Sequence, residues 1–238
     1  MTSVSRWQDR LYPTEDARDP VLQFRHVLET YVASDAVVLD VGAGAGRNAY
    51  DLKGRVGRLV GADITPRVLD NPLLDEGVIA DVTDLPFEDD TFDVAFSIYV
   101  LEHIEEPERF VREMGRVLRP GGYFLSLTPN RYHYVTLASS MTSTGFHKRL
   151  NARRGRPEED TFPTAYKMNS RRALTTYFEG AGFDVDLMST IEVQPNYLAF
   201  STPTFLLGAA WERLVNATPM LAGLRVNIIC AMRKRDDA

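Results

Sequence analysis

The residues of this chain best placed to do chemistry begin at Asp40, where the apolar run Val37-Val38-Leu39 stops at a carboxylate and breaks into Gly42, Gly44 and Gly46. A β-branched run that empties into alternating glycines reads as a buried strand followed by a tight loop. Without side chains the loop lets a small polar ligand reach backbone N–H groups and the positive end of the helix expected from about Asn48 to Lys53. The glycines alone also fit an ordinary tight turn between strand and helix. The spacing is D-x-G-x-G-x-G with Arg47 where a G-x-G-x-x-G fingerprint has its third glycine. A carboxylate two residues before the first glycine repels a pyrophosphate and attracts a ligand carrying an ammonium or other cation. Two further apolar runs also stop at acids, Asp63 and Asp81. The proton-transfer candidates are the four histidines, His26, His103, His133 and His147.

The elements that must position these groups follow from the apolar periodicity. Asp19 caps a helix with Pro20 at its first position and Val21, Phe24, Val27, Leu28 and Tyr31 on one face. Strands are expected over 37–41, 58–63, 77–82, 94–98, 123–128, 183–191 and 225–232. A helix runs from Pro107 to Leu118, and another from Arg171 to Glu179 behind the cap Asn169-Ser170. Residues 129–168 do not continue the sheet, and their aromatic, basic and hydroxyl side chains suit a lid or acceptor-binding insertion. The apolar stretch 203–215 opens on a further helix start. Its uses are packing on the domain or a dimer partner, forming a wall of the acceptor pocket, or contacting a membrane surface. Trp7 and Tyr12 in the N-terminal arm either pack or close over a ligand.

Composition narrows the class. At 238 residues with 44% hydrophobic and 25% charged side chains, the chain suits one soluble α/β domain with elaborations. A net charge of −6 argues against a general nucleic-acid binder, although Lys148-Arg149, Arg153 to Arg156 and Arg171-Arg172 are locally basic. The single cysteine, Cys230, lies in an apolar run and reads as a small buried hydrophobe in a reducing compartment. No apolar h-region opens the sequence, and no run approaches the ~20 residues that span a bilayer, so a cytoplasmic protein without a transmembrane segment is expected.

The D-x-G-x-G-x-G stretch resembles motif I of the class I S-adenosylmethionine (SAM)-dependent methyltransferases. The order Asp81, Leu85-Pro86-Phe87, acidic turn, Phe92-Asp93 and apolar strand, with the later Leu118-Arg119-Pro120-Gly121-Gly122, resembles the subfamily that includes the ubiquinone and menaquinone methylases. The resemblance covers residues 37–130. It implies a Rossmann-like α/β fold: a seven-stranded, mostly parallel sheet with helices on both faces. Lid and acceptor insertions would follow strand five and separate strands six and seven. One domain then spans 1–238, with an N-terminal arm and helix over 1–36, an acceptor insertion over 129–168 and an apolar helical insertion over 194–223. Asp40, Gly42 and Gly44 would hold the methionine end of SAM. Asp63 would accept from the ribose hydroxyls, with Ile64 beside it. Asp81 would bind the adenine amino group, the Val82 N–H would read the ring, and Ser97 would lie beside the methionyl part.

Sugar O-methyltransferases resembling this chain use a histidine at the position of His103 as general base, which an aliphatic hydroxyl acceptor needs. That residue is expected to begin the helix after strand four, where a structural cap role is the competing reading. His133 and His147 are the alternatives for the base, and His26 is read as structural. Residues 129–168 also bear a faint resemblance to methyltransferases of bacterial polysaccharide pathways, including those of mycobacterial methylated mannose polysaccharides. The expected function is O-methylation of a sugar hydroxyl on an oligosaccharide, polysaccharide precursor or glycoside. The alternatives are methylation of a quinone or lipid-like ring, and a SAM-binding regulatory subunit. Glu102, Asn130 and Glu158-Glu159-Asp160 offer oxygen ligands for Mg2+, but no ligand spacing is diagnostic and the metal stays open. A homodimer is a further expectation left open.

Overall fold

A computed structural model of the protein describes residues 3–46, 52–140 and 163–236. Arg47, most of the helix expected over 48–53, the stretch Met141 to His147 and the acidic group Glu158 to Asp160 lie outside the described residues.

Seven strands make one sheet: β1 (Val37–Val41), β2 (Arg58–Asp63), β3 (Glu76–Ile79), β4 (Phe92–Ile98), β5 (Leu118–Pro129), β6 (Phe183–Ile191) and β7 (Asn227–Lys234). Their order is β3-β2-β1-β4-β5-β7-β6, and only the pairings of β7 are antiparallel. The expected Rossmann-like sheet is therefore observed. The helices are α1 (Ser3–Leu11), α2 (Pro20–Glu29), α3 (Pro107–Val117), α4 (Tyr134–Ser140), α5 (Arg171–Gly180) and α6 (Thr202–Ala217).

Alternate residues of each strand feed two cores, as the pleat requires. Leu39, Val41, Phe124, Cys230 and Met232 pack with Phe110 and Met114 of α3 and with Leu174 and Phe178 of α5. Val38, Val94, Phe96 and Leu125 point the other way and pack with Phe24 and Leu28 of α2. Because both faces are covered, β1 and β4 carry near-continuous apolar runs. The first core is sealed by a ring cluster in which Phe124 stacks on Phe178 at 5.0 Å and meets Phe110 edge-on at 5.6 Å. Each such fully buried ring contributes about 2–3 kcal/mol by removing apolar area from water. Cys230 is buried in the same layer, and burial pushes its thiol up to about 12.

Caps are formed by side chains that their types favour: Asp19 accepts from Val21 N at 2.8 Å, Ser170 from Ala173 N at 3.2 Å and Ser201 from Thr204 N at 3.4 Å. The bounds of four strands differ from expectation. β4 begins at Phe92, two residues before the expected Val94. β3 ends at Ile79, and the chain then turns so that Asp81 bridges Asp84 instead of closing a strand. β5 starts at Leu118, directly from α3, because Arg119 is drawn to the start of β4, its Nη1 donating to Asp93 Oδ1 at 2.6 Å. β7 runs from Asn227 to Lys234, where the Lys234 ammonium donates to Asp90 Oδ1 and Leu118 O, both at 2.8 Å.

Candidate active site

In the strand order, the chain leaves β1 toward β2 and β3 on one side and returns to β4 on the other, so the carboxyl ends of β1 and β4 flank the switch point where open α/β sheets bind ligands. The glycine loop starts there. Gly42, Gly44 and Gly46 have φ of 78, 50 and 77°, a left-handed backbone that explains why all three positions lack side chains. Asp40 is 4% exposed, one residue inside the strand end, beside Ala43, Gly46 and Asn71.

Asp63, at the tip of β2, is bound from two directions. Its Oδ2 accepts from Gly44 N at 2.9 Å, while its Oδ1 accepts from both the N–H and the hydroxyl of Thr65 at 2.7 Å. The carboxylate thus holds the glycine loop in place and keeps a fixed rotamer. Asp81 repeats the device: its Oδ1 accepts from the N–H and the hydroxyl of Thr83 at 2.8 Å. Asp63-Ile64-Thr65 and Asp81-Val82-Thr83 are the same D-x-T pattern at the ends of neighbouring strands. Thr65 and Thr83 were legible in this repeat, which the spacing of the acids alone does not reveal. Ile64 is 63% exposed, an apolar surface beside Asp63 on which a flat ring can lie, whereas Val82 is half-buried against the core.

Ser97 stands apart from these residues. It is fully buried, and its hydroxyl donates to Ser126 Oγ at 3.1 Å across the β4–β5 pair, so the side chain is engaged inside the sheet and not at an open face.

After β4 the chain turns at Tyr99, whose φ of 58° is unusual for a bulky residue and costs about 1–2 kcal/mol. Sequence carries no signal for this. The turn presses Val100 onto Gly42 and leads into a 3-10 turn over Leu101–His103. His103 therefore closes a short turn and does not begin the following helix, which starts at Pro107. Its Nδ1 lies 2.8 Å from Pro163 O. A carbonyl can only accept, so the proton sits on Nδ1 and Nε2 carries the lone pair, the tautomer a general base needs.

The adjacent Glu102 is 6% exposed, with Oε2 3.4 Å from the Thr128 hydroxyl. Burial pushes its carboxyl up to about 7, against the weaker opposing pull of its hydrogen bonds. Residues 163–169 strap across this turn: Ala165 N and Tyr166 N donate to Glu102 O, and the Lys167 ammonium donates to Glu105 O at 2.6 Å. Asn169 Nδ2 donates to Thr128 Oγ1 at 2.6 Å.

Two other candidates fall away. His133 is 1% exposed, with Nδ1 accepting from Val135 N at 3.4 Å and Nε2 3.5 Å from Glu192 Oε1, an ion-pair separation without hydrogen-bond geometry. It is buried in the packing against Tyr134 and Glu192. Asn130 is 2% exposed; its amide donates to Gly223 O and Arg225 O, and its Oδ1 accepts from Tyr132 N, which leaves it unsuited to hold a metal. Among the described residues no group of three His, Cys, Asp or Glu side chains could hold a metal ion, and Glu158, Glu159 and Asp160 lie outside them. His147 lies outside the described residues. His26 sits on α2 near Asp16, away from the loop.

Tyr12 and Trp7 pack instead of closing over the loop. Tyr12 is 3% exposed, meets Phe205 of α6 edge-on at 6.0 Å and donates its hydroxyl to Glu212 Oε2 at 3.0 Å. A separate cleft of about 380 Å3 opens at the amino ends of β1, β4 and β5, opposite the glycine loop. Its Arg119 and Asp93 neutralise each other.

Residues 39–126 match the family described as "Methyltransferase domain". The chain is 33% identical over 132 residues to sterol 4-C-methyltransferase of Caenorhabditis elegans, covering 47% of this chain and 40% of that protein. It is 38% identical over 109 residues to the ubiquinone/menaquinone biosynthesis C-methyltransferase of Hahella chejuensis, covering 40% and 44%. The chain thus spans less than half the length of either relative. A solved SAM-dependent methyltransferase from Methanosarcina mazei shares the fold, with a TM-score of 0.59 at 18% identity over 88% of this chain and 97% of that one.

Proposed function

We propose that this protein, whose residues 39–126 match the methyltransferase domain family, is a class I SAM-dependent methyltransferase that transfers a methyl group from SAM to an apolar, ring-bearing or isoprenoid acceptor. The observation that carries the cofactor half is the pair of D-x-T clamps, which hold Asp63, next to the exposed Ile64, and Asp81 in fixed rotamers. Asp63 binds the ribose hydroxyls, Asp81 and the Val82 N–H read the adenine, and Asp40 with the glycine loop takes the methionine end. SAM supplies an electrophilic methyl on a sulfonium, so the protein's work is placement and proton removal. His103, with its lone pair on Nε2, removes the proton. That proton comes from the acceptor carbon after a C-methylation or from the hydroxyl during an O-methylation.

The acceptor half is supported by the two relatives, whose names specify a sterol and a quinone pathway, and by the scarcity of charge in 193–224, where Glu212 and Arg213 are the only ionised side chains. O-methylation of a sugar hydroxyl is the second reading, favoured by the tautomer that Pro163 O imposes on His103. A cytoplasmic location and a homodimer accompany both readings. The test is an assay with labelled SAM against sterol, quinone and isoprenoid acceptors beside a sugar panel. Transfer to the lipid-like set alone is expected. Transfer to sugars alone overturns the acceptor reading, and SAM binding without any transfer overturns the enzyme. His103→Ala should lower turnover by about 100-fold or more with SAM affinity unchanged.

A further inference from the structure

The glycine loop is held from behind by a side chain outside the strand ends. Asn71 lies in the connection between β2 and β3 and is 7% exposed. Its Nδ2 donates to Ala43 O and to Gly44 O, both at 3.3 Å, and its Oδ1 accepts from Leu73 N at 3.0 Å. A carbonyl only accepts and a backbone N–H only donates, so these partners fix which end of the amide faces the loop. A Cβ added at Gly46 would come within 2.4 Å of Asn71 Oδ1, so the last glycine packs on the same side chain. Asn71 is in turn seated by its own turn. Its carbonyl accepts from Leu74 N, the buried Leu74 closes on Gly61 of β2, and the Lys53 ammonium donates to Leu74 O at 2.5 Å.

The rest of the loop backbone is tied inward as well. Gly42 N and Ala43 N both donate to Ala62 O, at 2.7 and 3.2 Å, and Gly44 N donates to Asp63 Oδ2 at 2.9 Å. The peptide between Ala43 and Gly44 is therefore gripped at both ends, its N–H by Asp63 and its carbonyl by Asn71, and it cannot turn over without losing both. The N–H groups of residues 42–44 are spent inside the protein, which is the reverse of a phosphate cradle, where they face the ligand. With Asp40 lining the same small cavity as Asn71, the loop suits a cationic amino group instead. Asp63 does not need Asn71 to stay in place, because Thr65 holds its other oxygen.

We propose that Asn71 is a positioning residue for the amino-acid end of the cofactor. It acts through the loop: by holding Ala43 O and Gly44 O it keeps the backbone in the one shape that receives that end, so that the ligand does not pay for ordering it. Ribose and adenine, bound at Asp63 and Asp81, do not depend on it. The identity of the ligand rests on the cofactor reading above, but the hold on the loop can be measured without any ligand.

The experiment is calorimetry of the full chain with two probes: S-adenosylhomocysteine, which carries the amino-acid end, and methylthioadenosine, which has the ribose and adenine but lacks that end. Asn71→Ala removes the whole amide. Asn71→Asp removes only the donors, keeps an oxygen for Leu73 N and adds a negative charge that by itself would attract the ammonium, so a loss in this variant belongs to the missing donors. S-adenosylhomocysteine should bind about tenfold more weakly to both variants, while methylthioadenosine binds as it does to the wild type, showing that they fold. In the ligand-free protein, amide hydrogen exchange over 42–46 should speed up by about tenfold in both. Wild-type affinity for S-adenosylhomocysteine in the variants, equal weakening of both probes, equal binding of both probes by the wild type, or unchanged exchange each overturns the proposal. A wild type that binds neither probe overturns the cofactor reading, and exchange then still decides whether Asn71 holds the loop.

Discussion

Two regions of this molecule are built by different rules. From β1 to β4 the acids of the candidate site stand at or near the ends of strands, and two of them are clamped by neighbours close in sequence: Asp63 by Thr65, Asp81 by Thr83. In the region proposed to face the acceptor, from the end of β5 through α6, the positions are set by partners far along the chain. His133 faces Glu192, Asn130 is held by Gly223 and Arg225, and Tyr12 from the N-terminal arm packs on Phe205. Cofactor binding needs one fixed geometry, which strand tips supply. Acceptor binding varies between enzymes on one fold and is carried by the connections.

The comparison can be broken at several points. Phe124→Ala, in the ring cluster of the sheet, should cost about 3–5 kcal/mol of global stability, read by denaturant unfolding. Phe205→Ala should instead raise hydrogen exchange and proteolysis in 3–11 and 202–217 while the sheet keeps its protection. Equal global losses would mean that the acceptor side is as integral to the core as the strands are. Asp63→Ala should weaken SAM binding by about 100-fold, because it removes the ribose acceptor and frees the Gly44 N–H together; each hydrogen bond to a charged group is worth about 1.5–3 kcal/mol. Thr83→Val should cost about tenfold in SAM affinity through the released Asp81 carboxylate, with Thr83→Ser restoring it. An unaffected Thr83→Val would reduce the clamp to a turn.

The smallest effect is in pH. The Glu102 carboxyl titrates at about 7 in the fold against an ordinary 4.5, so the folded state holds the proton more tightly than the unfolded chain does. Its contribution is fully present below about 4.5 and is lost as pH rises through about 7. Glu102→Gln should flatten the melting temperature across that window.

Much of the first region was legible. Apolar runs placed β1, β2 and β6 at their observed bounds, and caps at Asp19 and Ser170 placed two helices. Sequence reading ran out where a residue's surroundings depend on what lies opposite. Ser97 sits at a strand end like the acids, yet Ser126 on the next strand takes its hydroxyl. His133 looked free at the rim because nothing near it in sequence reveals the buried Glu192.

Sequence by itself determined most of the elements, the two-faced sheet and the glycine loop, because side-chain period, glycine conformation and capping act within a few residues. Only the tertiary structure decided that His103 Nδ1 meets Pro163 O, which polar side chains are consumed in packing, and which face of α6 is left exposed. Those outcomes depend on contacts between distant segments, and local spacing carries no record of them.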